Sequence, residues 1–347
     1  MKTFAILINP TTTQELKRLL PVTRFLPNSA LGFLLRKNLS FKVLTLKKIR
    51  SREGKEVSGH IIVWPVLKQT IDSLDKETIK TKIIEAGLLA GRLGARIMGT
   101  NGSYGLSAQD LTTIAQKIKI PFTSGESLLS WSFFESIFLR AQEKKLQLNH
   151  ASIAIIGAAS SLGMLCAKKL ASYASNIILA DTDEEKLKTL KEILVLQNTE
   201  EHKQGSIESI SMDELPEKAA QADIFILVSN TACEKFARIR LKPKSIICAV
   251  PDCQNLDTLA ALLKDSTVIK GGMIKLPASI DLGIDLGLPD NLIHAAFAEP
   301  ILLAFEERTG NFSLGGATNI NRLEDIADIA VGYGFEVCDL IQQAHIR

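Results

Sequence analysis

The run Gly157-Ala158-Ala159-Ser160-Ser161-Leu162-Gly163 lies between an apolar segment ending at Ile156 and a helix-like pattern starting near Leu162. A chain that turns sharply off a strand into a helix presents backbone N–H groups and the positive end of the helix dipole to a pyrophosphate. Gly157 suits the sharp turn, and Gly163 lets the helix lie close to the strand. The middle glycine of the usual pattern is missing; Ala159, Ser160 and Ser161 stand there, and a hydroxyl can donate to phosphate instead. Asp181 follows 24 residues after Gly157, at the end of the next apolar run. A carboxylate there accepts from ribose hydroxyls and repels a 2′-phosphate, which favours NAD, with NADP as the alternative. Thr182 brings no cation, and the plainer alternative is a turn that caps the next helix through Asp183. Ser229 and Asn230 follow a later apolar run, where the nicotinamide would lie.

The elements needed to position these groups can be read from periodicity. Ala151–Ile156, Asn176–Ala180, Ile224–Val228 and Ser245–Val250 are apolar runs separated by helical or polar stretches. That alternation predicts an α/β domain with a Rossmann-type doubly wound parallel sheet over 151–275. A second α/β domain precedes it over 1–150. It has a strand at Phe4–Ile8 stopped by Asn9-Pro10, a hairpin around Gly54, a helix over 72–93 and a helix capped by Ser107. Two glycine- and hydroxyl-rich turns follow its strands, and Gly99, Ser103, Ser124 and Gly125 are the expected substrate-facing positions. They also read as ordinary strand-to-helix turns. The segment 276–347 is expected to be helical over 290–307 and 321–332 and to pack on the first domain.

Composition narrows the classes. The chain has 347 residues, with 41 Lys+Arg against 38 Asp+Glu, and no basic stripe that would argue for nucleic acid. Its longest apolar candidate, 293–305, is interrupted by Glu299 and Pro300, so no membrane span is expected. Five scattered cysteines without a CxxC pair argue against a disulfide framework or a metal site, and a reduced, cytoplasmic protein is expected.

Several segments carry a resemblance: FAILINP near the start, GRLGARIMG, the GAASSLG turn, KGGMIKLP, and FAEPILLAFEERTGNFSLGG near the end. Together they resemble the long-chain acyl-[acyl-carrier-protein] reductases and their bacterial relatives, over nearly the whole chain. The resemblance implies a Rossmann domain between an N-terminal domain and a helical C-terminal segment. It also implies NADPH-dependent reduction of a fatty acyl thioester to an aldehyde through an acyl-enzyme on a cysteine. Acyl carrier protein would then be a partner, and the chain a homo-oligomer. In that family the tail reads Ala-Cys, an apolar residue, then Ala-Glu. Here Ala296 stands at the nucleophile's position, and a methyl group cannot attack a thioester. Pro300 follows, which removes an N–H and should kink the helix at that point. Asp181-Thr182 replaces an arginine suited to the 2′-phosphate.

Other groups could take over acid–base chemistry. His294 and Glu299 flank Ala296 and could act on a carbonyl or hydroxyl, or could be no more than two residues on a helix face. Lys270 and Lys275 flank Gly271-Gly272, and Cys253 lies in a loop after the fifth strand. The leading expectation is an NAD(P)-dependent oxidoreductase acting on a carbonyl or alcohol, fatty acyl compounds and aldehydes included, without a covalent cysteine intermediate. One alternative is a catalytically silent relative that binds nucleotide or acyl chains. Another is a thioester reductase whose nucleophile has been replaced at position 296.

Overall fold

The computed structural model describes residues 2–10, 12–19, 41–102, 104–200, 205–228, 230–236, 239–250, 253, 256–263, 265–277, 288–289, 291–315, 320–338 and 340–342. Two compact units divide the chain. Unit 1 comprises Met1–Leu128, Ile274–Thr318 and Arg322–Glu336; unit 2 comprises Leu129–Met273, Asn319–Asn321 and Val337–Arg347.

Unit 1 opens with β1 (Thr3–Ile8) and α1 (Thr13–Leu19), then β2 (Lys42–Arg50) and β3 (Glu56–Val63). The hairpin expected around Gly54 is present: β2 pairs antiparallel with β3, and Gly54 takes φ +83° in the turn. The helix expected over 72–93 is present as α3 (Lys76–Arg92), preceded by a separate short helix, α2 (Lys68–Asp72). Asp75 separates them, because its carboxylate accepts from the Thr78 N–H at 2.8 Å and starts α3 afresh. Next come β4 (Ile97–Thr100), α4 (Ala108–Ile118), β5 (Phe122–Thr123) and α5 (Glu126–Glu143), which runs on into unit 2. Ser107 caps α4 as expected and forms a reciprocal capping box with Asp110.

The five strands order as β2-β3-β1-β4-β5, with β1, β3, β4 and β5 parallel. Successive side chains alternate between the sheet's faces. Ala5 and Leu7 of β1 join Ile62, Met98 and residues of α3 and α4 in one apolar cluster. Ile6 and Ile8 face Phe297 and Ile301 on the other side.

Unit 2 continues with β6 (Ser152–Ile156), α6 (Ser161–Leu170), β7 (Asn176–Ala180), α7 (Glu184–Glu200) and β8 (Ser206–Ile210). After α8 (Leu215–Lys218) come β9 (Ile224–Leu227), α9 (Asn230–Phe236), β10 (Ile246–Ala249), α10 (Leu256–Leu262) and β11 (Thr267–Lys270). Strand order across the sheet is β8-β7-β6-β9-β10-β11, all parallel, with an antiparallel edge strand, Leu340–Gln342, beyond β11. Counting β6 as the first strand, this is the 3-2-1-4-5-6 order of a Rossmann fold. The chain is therefore α/β, with a doubly wound parallel sheet in unit 2.

The remaining described strands are β12 (Met273–Lys275), β13 (Leu292–His294) and β14 (Glu336–Val337), which form one three-stranded sheet, and β13 leads into the helix α11 (Ala295–Phe305). The helix expected from 290 thus starts only at Ala295, because Leu292–His294 is extended and pairs in a small sheet. All eleven residues of α11 are buried. A second helix, α12 (Ile320–Gly332), is amphipathic, with Leu323, Ile326 and Ala330 inward. Among the described residues no helix is long and apolar enough to cross a membrane.

Candidate functional site

The turn between β6 and α6 is tight. Gly157 holds φ +91°, and its N–H donates to Ala180 O at 2.8 Å, which pins the turn against the end of β7. A Cβ on Gly163 would lie 2.4 Å from the Gly157 carbonyl and 2.7 Å from Ala158 Cα, so only glycine allows this closeness of helix and strand. Ser160 is the N-cap of α6: its Oγ accepts from Gly163 N–H at 3.1 Å and donates to Gly157 O at 2.8 Å. That hydroxyl proton is spent inside the turn, so the first-turn N–H groups, those of Ser161 and Leu162, are left to face an anion.

Asp181 sits at the end of β7 and also braces the turn. One oxygen accepts from Ala159 N–H at 2.9 Å; the other accepts from Thr182 N–H at 2.7 Å and Asp183 N–H at 3.3 Å. Capping of α7 belongs to Asp183, which accepts from Lys186 N–H at 3.1 Å. Oδ1, which also lies 3.3 Å from the Thr182 hydroxyl, has no lone pair to spare, whereas Oδ2 keeps one beyond its bond from Ala159, so a further donor can be accepted at Oδ2 while the turn stays braced. Asn230 opens α9, and Ser229 lies outside the described residues. Lys270 ends β11, and Lys275 is exposed at the end of β12.

Cysteine chemistry departs from the sequence expectation. Cys233 on α9 and Cys253, beyond the end of β10, are joined in a disulfide with Cα atoms 6.2 Å apart. The pair lies 20 residues apart, and sequence spacing alone gave no sign that α9 and the loop after β10 come together. Cys253 is therefore bonded rather than a loop thiol. Cys166 is fully enclosed in α6, and burial pushes its thiol up to about 12, which leaves it inert as a nucleophile.

In unit 1, α11 runs antiparallel to the sheet strands. Its first turn touches Gly125 just past β5, Pro300 covers Gly99 in β4, and Leu303 and Ala304 reach the level of Thr3 and Ile97 at the strand starts. Ala296 thus lies at the helix N-terminus, beside the C-terminal ends of the strands. It is 1% exposed, and a Cβ on Gly125 would come within 2.7 Å of its Cα, Cβ and carbonyl oxygen. Gly125 takes φ +78°, so both its backbone and its neighbour exclude a side chain. α11 continues through Pro300, and the proline ring fills the space that Gly99 leaves. Two of the expected substrate-facing residues, Gly99 and Gly125, are thus seats for α11. Ser124 is wholly buried, and Ser103 lies outside the described residues.

Glu299 is fully enclosed. Its Oε1 accepts from the hydroxyls of Thr123 and Ser313, the latter at 2.6 Å, and its Oε2 accepts from Leu128 N–H at 2.7 Å. Ser313 Oγ also lies 2.7 Å from Ser127 Oγ. One carboxylate therefore ties β5, the first turn of α5, α11 and the 313 loop together. Burial pushes its pKa up, and the hydroxyl and backbone donors partly offset that rise. His294, the N-cap residue of α11, is only partly buried, and its ring meets Phe297 edge-on at 5.4 Å. Sequence reasoning saw the two acid–base candidates but not the Thr123, Ser127 and Ser313 hydroxyls around Glu299. The signal was the unusual run of serines from 124 to 136, which periodicity does not assign a role.

A cavity of about 750 Å³ opens at the opposite, N-terminal edge of this sheet, with Lys2, Arg96, Lys119 and Arg308 on its wall. The helices α3, α4 and α11 end there, at Arg92, Ile118 and Phe305. Their carbonyl ends are negative, and cations at that edge complement them.

No family model matches the chain. The chain is 23% identical over 307 residues to the aminotransferase PigE of a Serratia species, covering 86% of this chain but only 34% of that protein. It is 23% identical over 308 residues to the long-chain acyl-[acyl-carrier-protein] reductase of Synechococcus elongatus, covering 83% of this chain and 85% of that one. Among solved structures, L-tryptophan dehydrogenase from Nostoc punctiforme is 12% identical, covers 94% of this chain and 80% of that one, and has a TM-score of 0.42. Quinate dehydrogenase from Corynebacterium glutamicum, in complex with NAD, is 11% identical over 94% of this chain and 98% of that one, with a TM-score of 0.38. The chain is thus similar in sequence, at low identity, to an acyl-thioester reductase and to about a third of a longer aminotransferase.

Proposed function

We propose that the chain is an NAD(P)-dependent oxidoreductase that reduces a carbonyl or oxidises an alcohol without a covalent cysteine intermediate. NAD is the preferred cofactor, and fatty aldehydes or related acyl compounds are the substrate class. The observation that carries this reading is the turn at 157–163: a glycine-shaped strand-to-helix junction on the first strand of a 3-2-1-4-5-6 sheet, braced by Asp181. The residues fit the cofactor. The N–H groups of Ser161 and Leu162 would hold the pyrophosphate, and Asp181 the ribose. When bound, the nicotinamide supplies or accepts the hydride. His294 is the residue we assign to proton transfer at the substrate oxygen, since it is partly exposed whereas Glu299 is enclosed and engaged. Glu299 then acts as a positioning residue for α11 and α5.

Ala296 supports the exclusion of acyl-enzyme chemistry: a methyl group sits at the start of α11, where a thiolate would be stabilised by the helix dipole. Binding titrations with NADH and NADPH test the cofactor assignment, with NADH expected about tenfold or more tighter because Asp181 repels a 2′-phosphate. Tighter NADPH binding overturns it. Ala296→Cys separates the thioester-reductase reading: robust aldehyde formation from acyl thioesters in this variant alone would favour that alternative. The same methyl group also favours a second reading, a silent relative, which predicts cofactor binding with no NADH oxidation across aldehyde, acyl-CoA and acyl-carrier panels.

A further inference from the structure

Asn9 follows β1 directly and is 5% exposed. Its Oδ1 accepts from the Tyr104 hydroxyl at 2.8 Å, while its Nδ2 is enclosed and has no partner. Ser124, just past β5, is likewise wholly buried with an unpartnered Oγ. Both follow the C-terminal ends of parallel strands in unit 1, on either side of β4, and that edge of an open α/β sheet is where ligands bind. The loop leaving β4 is tied to Ser124 through Gly102 N–H, which donates to Ser124 O at 2.9 Å. Within that loop Tyr104 takes φ +54°, a left-handed conformation that costs a residue with a Cβ, and its ring lies 6.4 Å from that of Trp64 at the end of β3. A strained tyrosine therefore fixes Asn9 in one orientation, with the amide N–H₂ kept from water. Native proteins seldom leave such a donor unmet, because its desolvation is uncompensated.

We propose that this edge is a binding site for an uncharged carbonyl compound, with Asn9 Nδ2 donating to the carbonyl oxygen and Ser124 Oγ as a second polar contact. The named groups are an amide, two hydroxyls and an indole, with no cation among them. A buried carboxylate or phosphate without a cation is costly, whereas a ketone or aldehyde oxygen needs only a donor. Calling this ligand the substrate rests on the oxidoreductase reading above; binding itself does not depend on the cofactor.

Calorimetric titration of the full chain with 2-hexanone, 1-hexanol and hexanoate tests the site. Wild type should bind the ketone and the alcohol, and hexanoate about tenfold or more weaker. Titrated at mildly alkaline pH, where the buried carboxyl is ionised, Asn9→Asp keeps the acceptor for Tyr104 but cannot donate, so the ketone should weaken about tenfold. The alcohol, which can donate to the new carboxylate, should weaken by no more than about threefold. A folding defect would weaken both alike, so the ketone-to-alcohol ratio is the decisive readout. Asn9→Ser, which restores a donor, should recover part of the ketone affinity. Equal ketone binding in wild type and Asn9→Asp, a parallel loss of both ligands, no ketone binding in wild type, or hexanoate binding as tightly as the ketone would each overturn the proposal. Absence of NADH binding alongside Asn9-dependent ketone binding would count against the oxidoreductase reading alone.

Discussion

Glu299 shows how one buried carboxylate can hold a unit together and make its stability depend on pH. Burial raises its folded pKa above the unfolded value, so the native state binds its proton more tightly. The resulting stability is complete below the ordinary carboxylate range and is lost as pH rises through the raised folded value. Glu299→Gln removes that titration. Subtracting its denaturation free energies from those of wild type across mildly acidic to neutral pH should give a difference that falls as pH rises. A flat difference would mean that the donors from Thr123, Ser313 and Leu128 already hold the group at its ordinary pKa. The variant also places an amide N–H₂ where Oε1 or Oε2 now accepts, so at low pH it should still be about 1–3 kcal/mol less stable.

At the level of elements, α11 is seated by two glycines, and the seat at Gly99 isolates the effect of packing. A Cβ there would meet the Pro300 ring at 2.5 Å, and neither β4 nor a proline ring can move aside cheaply. Gly99→Ala should therefore cost about 1–3 kcal/mol in urea denaturation, whereas Gly310→Ala, with open space around its Cβ and no positive φ, serves as a comparison for backbone effects alone. Equal costs at the two sites would show that α11 is not held against the sheet as described. The elements themselves were largely legible from sequence: apolar runs marked the parallel strands, Ser107 the start of α4, and Gly157 and Gly163 the tight turn between β6 and α6. Boundaries failed where a single polar side chain decided them, as Asp75 does before α3. The pairing of Glu299 with Thr123 and Leu128 and the closeness of Gly125 to Ala296 were illegible because they join residues more than 170 positions apart.

For the molecule as a whole, the Cys233–Cys253 disulfide adds a covalent constraint that the cysteine count alone had argued against. It links α9 to the loop after β10, across a loop of about twenty residues, for which restricting the unfolded chain contributes about 3 kcal/mol. Reduction, or Cys253→Ser, should lower the thermal midpoint by a matching amount. An unchanged midpoint in reductant would show that the link contributes nothing to native stability. Unit 1 is assembled from chain segments that flank unit 2 in sequence, and α11 supplies one whole layer of it. A ribosome delivers β1 to β5 long before it delivers α11. During that interval Ile6, Ile8 and Ile61 have no covering helix, and the nascent sheet presents an apolar face that only the late arrival of 295–305 can close. The slow step in making this protein is then the wait for its own C-terminal third, and a chain released near residue 280 would be a candidate for chaperone capture.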